Sequence, residues 1–396
     1  MGLFYKQPEY FSRFRCLGGE CPESCCDGWE IDWKNEEYEK LRTAECPEEL
    51  KDKIDNSFSV NDERGHYTIA LCDDGRCPFH DRKTELCSIQ REIGEDYLGV
   101  VCRTYPRHYI KNNDQIIRWC VTSCPAVIDI LIKDKRATEI ETIPARDYDR
   151  LDRSTTVTDN AEAVRDDPIR RLRMELFDFY TGILLNNSRS FENSMILLAL
   201  AVKHLTKAEE NKDFDAIPRI IQSLTSQLND PAVAGSVEDI KPNYQLKFKL
   251  VNNMLIKFFG NNSHIINIRA LHDGDRLKTD NYLKGLENFH NAFDNKPYVL
   301  KSIIMNTFFD MNMPLGKLKR SLFENYAFFV LAAASIKTVA AAIGFSGVDI
   351  RENFKICVAE MSRSFSHDVK KADAMAEDIK QMGLSTPAHL ALIIKG

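Results

Sequence analysis

Eleven of the twelve cysteines of this 396-residue chain fall within its first 124 residues, and only Cys357 lies outside. They open as Cys16, Cys21 and adjacent Cys25-Cys26, continue through Cys46, Cys72, Cys77, Cys87 and Cys102, and close on Cys120 and Cys124. Thiolates are soft ligands suited to zinc or to iron–sulfur clusters. The paired CxxC knuckles of zinc ribbons, in which one turn presents two sulfurs, do not occur. Adjacent cysteines cannot easily both face one ion, so one of Cys25 and Cys26 is expected to pack beside the site. The long downstream gaps suit ligands that converge from separate loops. Radical S-adenosylmethionine enzymes show CxxxCxxC, and two near-misses fail because Gly28 and Val127 stand at the third position. Spacing alone leaves zinc and iron–sulfur equally open.

The formal net charge of −6 gives no global electrostatic case for nucleic acid or an anionic membrane surface. The N-terminus, Met-Gly-Leu-Phe-Tyr-Lys, has no apolar stretch of signal-peptide length, and Lys6 breaks the myristoylation pattern. The longest apolar run, Ala327 to Ala334, is too short to span a bilayer. A cytoplasmic location is therefore expected. A reducing compartment disfavours a disulfide framework and moves dense cysteines towards metal binding or catalysis.

The elements that must position these thiols are short. Phe4, Tyr5, Tyr10, Phe11 and Phe14 supply aromatic packing in a lead-in segment over residues 1–15. Alternation predicts a strand at Gly28 to Trp33; His66 to Leu71 and Ile116 to Val121 are further strand candidates, and a helix is expected from Asn35 to Leu41. Pro125 can take the first position of a helix through Ile132. Such a loop-rich region buries little apolar area, so a metal is a plausible source of its stability. Residues 134–167 are charged and read as a connection, dividing a cysteine-cluster domain (1–150) from a helical domain (151–396). Helices are expected from Asp167-Pro168, at Met195 to Leu205, and from Leu246 to Phe259 ending at Gly260. Phe323 to Ile343 is the most apolar and is expected to stop at Gly344; Val348 to Phe365 and Asp368 to Met382 follow. The fold class is mainly α: an N-terminal cysteine-rich metal-cluster domain with short strands and loops, then an all-helical domain.

The order and flanking residues of the cysteines carry more than their count. Cys16, Cys21 and Cys25-Cys26 with Gly28-Trp29 are followed by Cys77-Pro-Phe, Cys87-Ser-Ile, Cys102-Arg-Thr-Tyr-Pro106 and Ser123-Cys124-Pro125. This framework, over roughly residues 5–130, resembles the flagellin lysine N-methylase (FliB-type) family. More loosely it is similar to small cysteine-cluster proteins described as zinc- or iron-chelating. Over the helical half the likeness rests on Glu324-Asn325-Tyr326 before an apolar helix. The resemblance implies a [4Fe–4S] cluster held by four thiolates, and methyl transfer from S-adenosyl-L-methionine to lysine amines of flagellin. The matching cysteines are Cys16, Cys21, Cys25, Cys26, Cys77, Cys87, Cys102 and Cys124. Cys26, Cys77, Cys87 and Cys102 rank first, because these also persist in the looser family. Cys46, Cys72 and Cys120 have no counterpart and read as neutral thiols.

Lysine is unreactive while protonated, so such an enzyme needs a desolvating site or a carboxylate to take the proton. Trp29, Trp33, Tyr105, Tyr109 and Trp119 could hold a sulfonium or an amine through cation–π contact, and Asp27 and Glu30 could take a proton. Arg103 and Tyr105 could bind a methionine carboxylate, and Glu324, Asn325 and Tyr326 are cofactor candidates through the resemblance alone. For Glu324 to Tyr326 the ordinary role is helix capping. His80 and His108 read as neighbours of the site rather than ligands. Cys357 reads as core. No glycine-rich dinucleotide-type turn occurs, so a Rossmann-like cofactor fold is not supported. The alternative functions are a non-catalytic binding protein stabilised by zinc or a cluster, and an electron-transfer protein.

Overall fold

The computed structural model describes residues 2–26, 31–61, 66–146, 156–260, 268–316, 320–367, 369–381 and 386–396. The mainly α architecture expected from the sequence is the one observed, with short strands confined to small sheets. The predicted Gly28–Glu30 part of the first strand lies outside the described residues; Asp32–Lys34 forms the rest.

The lead-in segment is itself a strand, Phe4–Pro8, near the centre of a five-stranded mixed sheet. It pairs in parallel with Gln115–Cys120 and antiparallel with Ile140–Pro144, so that Tyr5 lies between Ile116 and Ile143. Arg107–Asn112 forms a hairpin with Gln115–Cys120, and Thr156–Thr158 adds to its outer edge. Asn113 turns that hairpin at φ 53°, a conformation asparagine tolerates. Ile140–Pro144 falls where the sequence reads as a charged connection. Its two isoleucines are separated by both Glu141 and Thr142 and so lack the alternation of a strand, although the backbone still pairs at the sheet edge.

Tyr5, Ile116, Ile117 and Val127 belong to one continuous core with the helices as far as Ile394. A separate, smaller core of Ile31, Trp33, Leu41, Leu50, Ile54, Ile69, Phe79, Ile89 and Leu98 lies under the cysteine loops. Residues 1–150 thus feed two cores. One is shared with the helical half, and the other is local.

Among the helices, Phe191–Glu210 is capped by Ser190, whose hydroxyl accepts the Asn193 N–H at 3.1 Å. Tyr244–Phe259 ends at Gly260 as expected. Asp167 does not cap with its side chain: Pro168–Leu172 is a tight 3-10 turn, and the α-helix begins only at Arg173–Leu184. Ile217–Leu228, Thr279–Ala292, Tyr298–Asp310 and Pro387–Lys395 carried no early signal.

The most apolar helix, Leu322–Ser346, runs straight through Gly344 and stops at Gly347, where φ is 75°. Gly344 serves a different purpose. A Cβ there would lie 2.0 Å from the Gly285 carbonyl oxygen, and a Cβ on Gly285 would lie 2.0 Å from that of Ala341. The two glycines let the Thr279–Ala292 and Leu322–Ser346 helices touch backbone to backbone. By length and hydropathy the Leu322–Ser346 helix could cross a membrane, yet 89% of its apolar window is buried within the protein.

Gly285→Ala or Gly344→Ala should therefore cost about 2–3 kcal/mol by overpacking. Gly347→Ala, with open space around it, should cost about 1 kcal/mol through its left-handed backbone. Calorimetric unfolding of the three variants reads the difference, and equal losses at all three positions would refute the close-packing account.

Candidate functional site

The loop that closes the cysteine region is held from the helical side. Tyr10 Oη accepts the Cys120 N–H at 3.0 Å and lies 2.7 Å from Asn306 Oδ1. Asn306 Nδ2 donates to the Cys120 carbonyl at 2.9 Å. Two residues on, the buried Asp310 carboxylate accepts the Thr122 N–H at 3.0 Å, the Thr122 hydroxyl, and the Ser362 hydroxyl at 2.8 Å. Next, Ser123 Oγ lies 3.1 Å from Tyr105 Oη. Cys124 follows and leads into the Pro125–Lys133 helix. On the other flank, Arg363 donates to Glu23 at 2.7 Å, tying the Cys21–Cys25 loop to the Ile350–His367 helix.

The first-ranked cysteines are brought together by backbone pairing. The Cys77 N–H donates to the Cys26 carbonyl at 2.8 Å. A two-residue ladder then sets His80 opposite Cys87. Cys102 lies on the short Val100–Thr104 helix, which approaches so closely that a Cβ on Gly99 would meet the Trp33 ring at 2.6 Å. Cys77, Cys87 and Cys102 all pack against the smaller core.

Their electrostatics report the same neighbourhood. Burial pushes the Cys77 thiol up to about 11, and the nearby Cys87 adds to it. Burial raises Cys102 further, with Cys87, Cys77 and Cys25 contributing, and it raises Cys87 as well. Within the adjacent pair, a hydrogen bond from Cys26 lowers Cys25 to about 7, while Cys26 is raised by that bond, by burial, and by Cys25, Cys77 and Cys87. A second group gathers at the other end. Cys124 is pushed up to about 12 by burial, with Cys21 and Cys16 the charges acting on it. None of the twelve cysteines is joined in a disulfide. Among the described residues no three His, Cys, Asp or Glu side chains are arranged closely enough to hold a metal as they stand. By chemistry the donors suit a thiolate-ligated metal: they are soft, half-buried sulfurs carried on separate loops.

The remaining sequence candidates divide. Trp33, Tyr109 and Trp119 are buried in the two cores, and the indole N–H groups of Trp33 and Trp119 find no partner. Trp29, Asp27 and Glu30 lie outside the described residues. Tyr105 is half-buried against Ser123, and Arg103 is half-buried on the Cys102 helix. His80 is buried beside Cys77 with neither ring nitrogen hydrogen-bonded; Nε2 lies 3.3 Å from Glu85 without bond alignment. His108 is exposed and stacks on Trp119. Glu324 closes a capping box, accepting the Ser321 N–H at 2.9 Å. Asn325 Nδ2 donates to the Leu315 carbonyl at 2.8 Å, and Tyr326 Oη to that of Met195 at 2.7 Å. All three act here as helix and loop anchors. Asp310, Thr122, Ser362 and Arg363 carried no sequence signal, because each is a common polar residue whose partner is distant in the chain.

A helical domain sharing one core with a small sheet, with convergent thiols over a satellite core, defines a cysteine-cluster protein of mainly α class. Residues 178–393 match the FliB lysine N-methylase C-terminal domain, more than half of the chain, and the chain belongs to that family. The family was read above from residues 5–130, whereas this match lies in the helical half. A lysine-N-methylase of Salmonella typhimurium is 22% identical over 256 residues, covering 63% of this chain and 59% of the relative. One from Salmonella choleraesuis is 21% identical over the same shares. The flagellar biosynthetic protein FliU of Salmonella muenchen is 25% identical over 136 residues, 33% of this chain and 78% of the relative. The chain thus spans 59% of the length of the two lysine-N-methylases. No solved structure matches it.

Asp310→Asn should destabilise the protein by about 2–3 kcal/mol, since an amide cannot accept from all the donors that face it. Thermal unfolding measures this, and an unchanged midpoint would remove Asp310 from the loop's support.

Proposed function

We propose that the chain is an S-adenosyl-L-methionine-dependent protein lysine N-methyltransferase that acts on flagellin. Family membership through residues 178–393 is the observation that carries this reading. The names of the relatives, lysine-N-methylase and flagellar biosynthetic protein, supply the reaction and the substrate class. We place the reaction in the cytoplasm, since twelve cysteines with no disulfide among them suit a reducing compartment.

We assign a [4Fe–4S] cluster to Cys26, Cys77, Cys87 and Cys102, with Cys16, Cys21, Cys25 and Cys124 as alternates. When bound, such a cluster supplies metal–thiolate bonds that fix loops resting on only a small apolar core. The chain's own residues do the rest of that work. The Cys26–Cys77 backbone bond and the His80–Cys87 ladder tie the three cysteine-bearing segments together, and Arg363 and Asp310 tie the flanking loops to the helices.

The size of the satellite core favours one second reading, a non-catalytic binding protein in which zinc or a cluster only staples the loops.

Anaerobic purification followed by iron, sulfide and zinc analysis separates these readings when combined with transfer of labelled methyl groups to purified flagellin. The expected result is about four irons and four sulfides per chain, with methyl-lysine formed. Alanine at Cys77 or Cys102 should remove iron and methyl transfer together. Stoichiometric zinc without sulfide, and no methyl transfer, would establish the stapled binding protein instead.

A further inference from the structure

Away from the cysteines, a cavity of about 200 Å³ opens where the Phe191–Glu210 helix ends against the start of the Leu322–Ser346 helix. Ile169, Leu315 and Leu322 form apolar walls. Asp166, Asp167 and Glu209 add three carboxylates, of which Asp166 pairs with Arg165 and Asp167 with Arg170, each at 3.3 Å. Arg320 directs its charge elsewhere, to Asp373 at 3.0 Å, which leaves Glu209 as the lining carboxylate with no ion pair among the described residues. Asn325 fixes one wall through its bonds to the Leu315 and Arg320 carbonyls.

Glu209 is the distinctive group. Its Oε2 accepts the Leu322 N–H at 2.8 Å, which anchors the carboxylate, while Oε1 accepts no hydrogen bond among the described residues. Behind it, the fully buried Tyr180 hydroxyl has no partner, and Glu209 is the foremost charge acting on it. The cavity is below the roughly 300 Å³ at which small-molecule and cofactor sites begin. It has room for one side chain. Apolar walls for a methylene stem and carboxylates for a cationic tip describe lysine.

Resting on the methylase reading, we infer that this cavity receives the acceptor lysine of the protein substrate and that Glu209 Oε1 takes its proton. Burial raises the Glu209 carboxyl to about 7, helped by the negative charges of Asp167, Glu324 and Glu210 and opposed by the Leu322 N–H. The apolar walls disfavour a charged carboxylate and a charged ammonium alike, and moving the proton from lysine to Glu209 removes both charges at once. The proton passes from lysine Nζ to Glu209, freeing the nitrogen lone pair. That pair attacks the methyl carbon of a sulfonium donor; the C–S bond breaks, and its electrons stay on sulfur as a neutral thioether. Glu209 then returns its proton to water.

Because the base must be ionised, kcat/KM for methylation should rise as pH passes about 7. Glu209→Gln should lose that limb and lower kcat about 100-fold or more, whereas Glu209→Asp should keep the limb at reduced rate. Glutamine can still accept the Leu322 N–H, so folding is preserved. Wild type must bury a charge above pH 7 and the variant need not. The variant's advantage in Tm should therefore be absent below about pH 4, where both states are protonated, and grow until it levels off above about pH 7.

Binding is read without turnover, by saturation-transfer NMR with Nα-acetyl-lysine N-methylamide against its norleucine analogue. Only the lysine probe should bind, about fivefold or more weaker in Glu209→Gln and in Asp166→Asn. Equal binding and equal methylation in wild type and Glu209→Gln would overturn this site and leave the methylase reading standing. Selective lysine binding that Glu209→Gln abolishes, in a protein that transfers no methyl group, would support the site and overturn that reading.

Discussion

Asp310 is a carboxylate inside an apolar core, and ionised groups enter such places only when hydrogen bonds replace their water. It receives them from Thr122, in the loop before Cys124, and from Ser362, on the Ile350–His367 helix. One side chain on the Tyr298–Asp310 helix therefore fixes the end of the cysteine region and the packing of a second helix at once. Asn306, one turn earlier on the same helix, does the same for Cys120 together with Tyr10. This shared polar seam explains why the sheet and helices have one core rather than two abutting ones. The satellite core under Cys77, Cys87 and Cys102 hangs from that frame.

The thiols show the cost of crowding acids. Each buried sulfur resists ionisation, and each ionised neighbour makes the next harder to ionise, as the upward shifts at Cys77, Cys87 and Cys102 record. A bound cation reverses every one of these interactions together. The arrangement is unfavourable for free thiolates. That cost gives the cysteine array a physical meaning beyond its count.

Much of this was legible in the residues. Segments such as His66 to Ile69, Gln115 to Cys120 and Pro125 to Lys133 declare themselves because β-branched, aromatic and apolar residues run together in them. The family was legible too, though from the cysteine framework rather than from the helical half that matches it. What escaped notice depends on distant partners. Ile140–Pro144 pairs with a strand more than 130 residues away, and two isoleucines are too few to announce it. Gly344 was read as a helix stop because glycine often is one. Its actual reason, contact with Gly285, is invisible without the fold. Glu209 looks like one of two solvated glutamates at a helix end; only the helix packed across it makes it half-buried.

Glu209 also settles a competition that local rules leave open. A carboxylate bonded to a helix N-terminus is ordinarily held in its ionised form by the exposed N–H groups there. At the Leu322–Ser346 helix those groups are already divided among three acceptors: Leu322 N–H to Glu209, Phe323 N–H to Thr206 Oγ1, and Glu324 N–H to Ser321 Oγ. One hydrogen bond remains to Glu209, against apolar walls and several negative neighbours, and desolvation wins. The capping of the most apolar helix and the tuning of the carboxylate thus share one cause. Thr206 and Ser321 satisfy the helix, so Glu209 need not serve as its permanent counter-charge and is left able to gain and lose a proton near neutral pH.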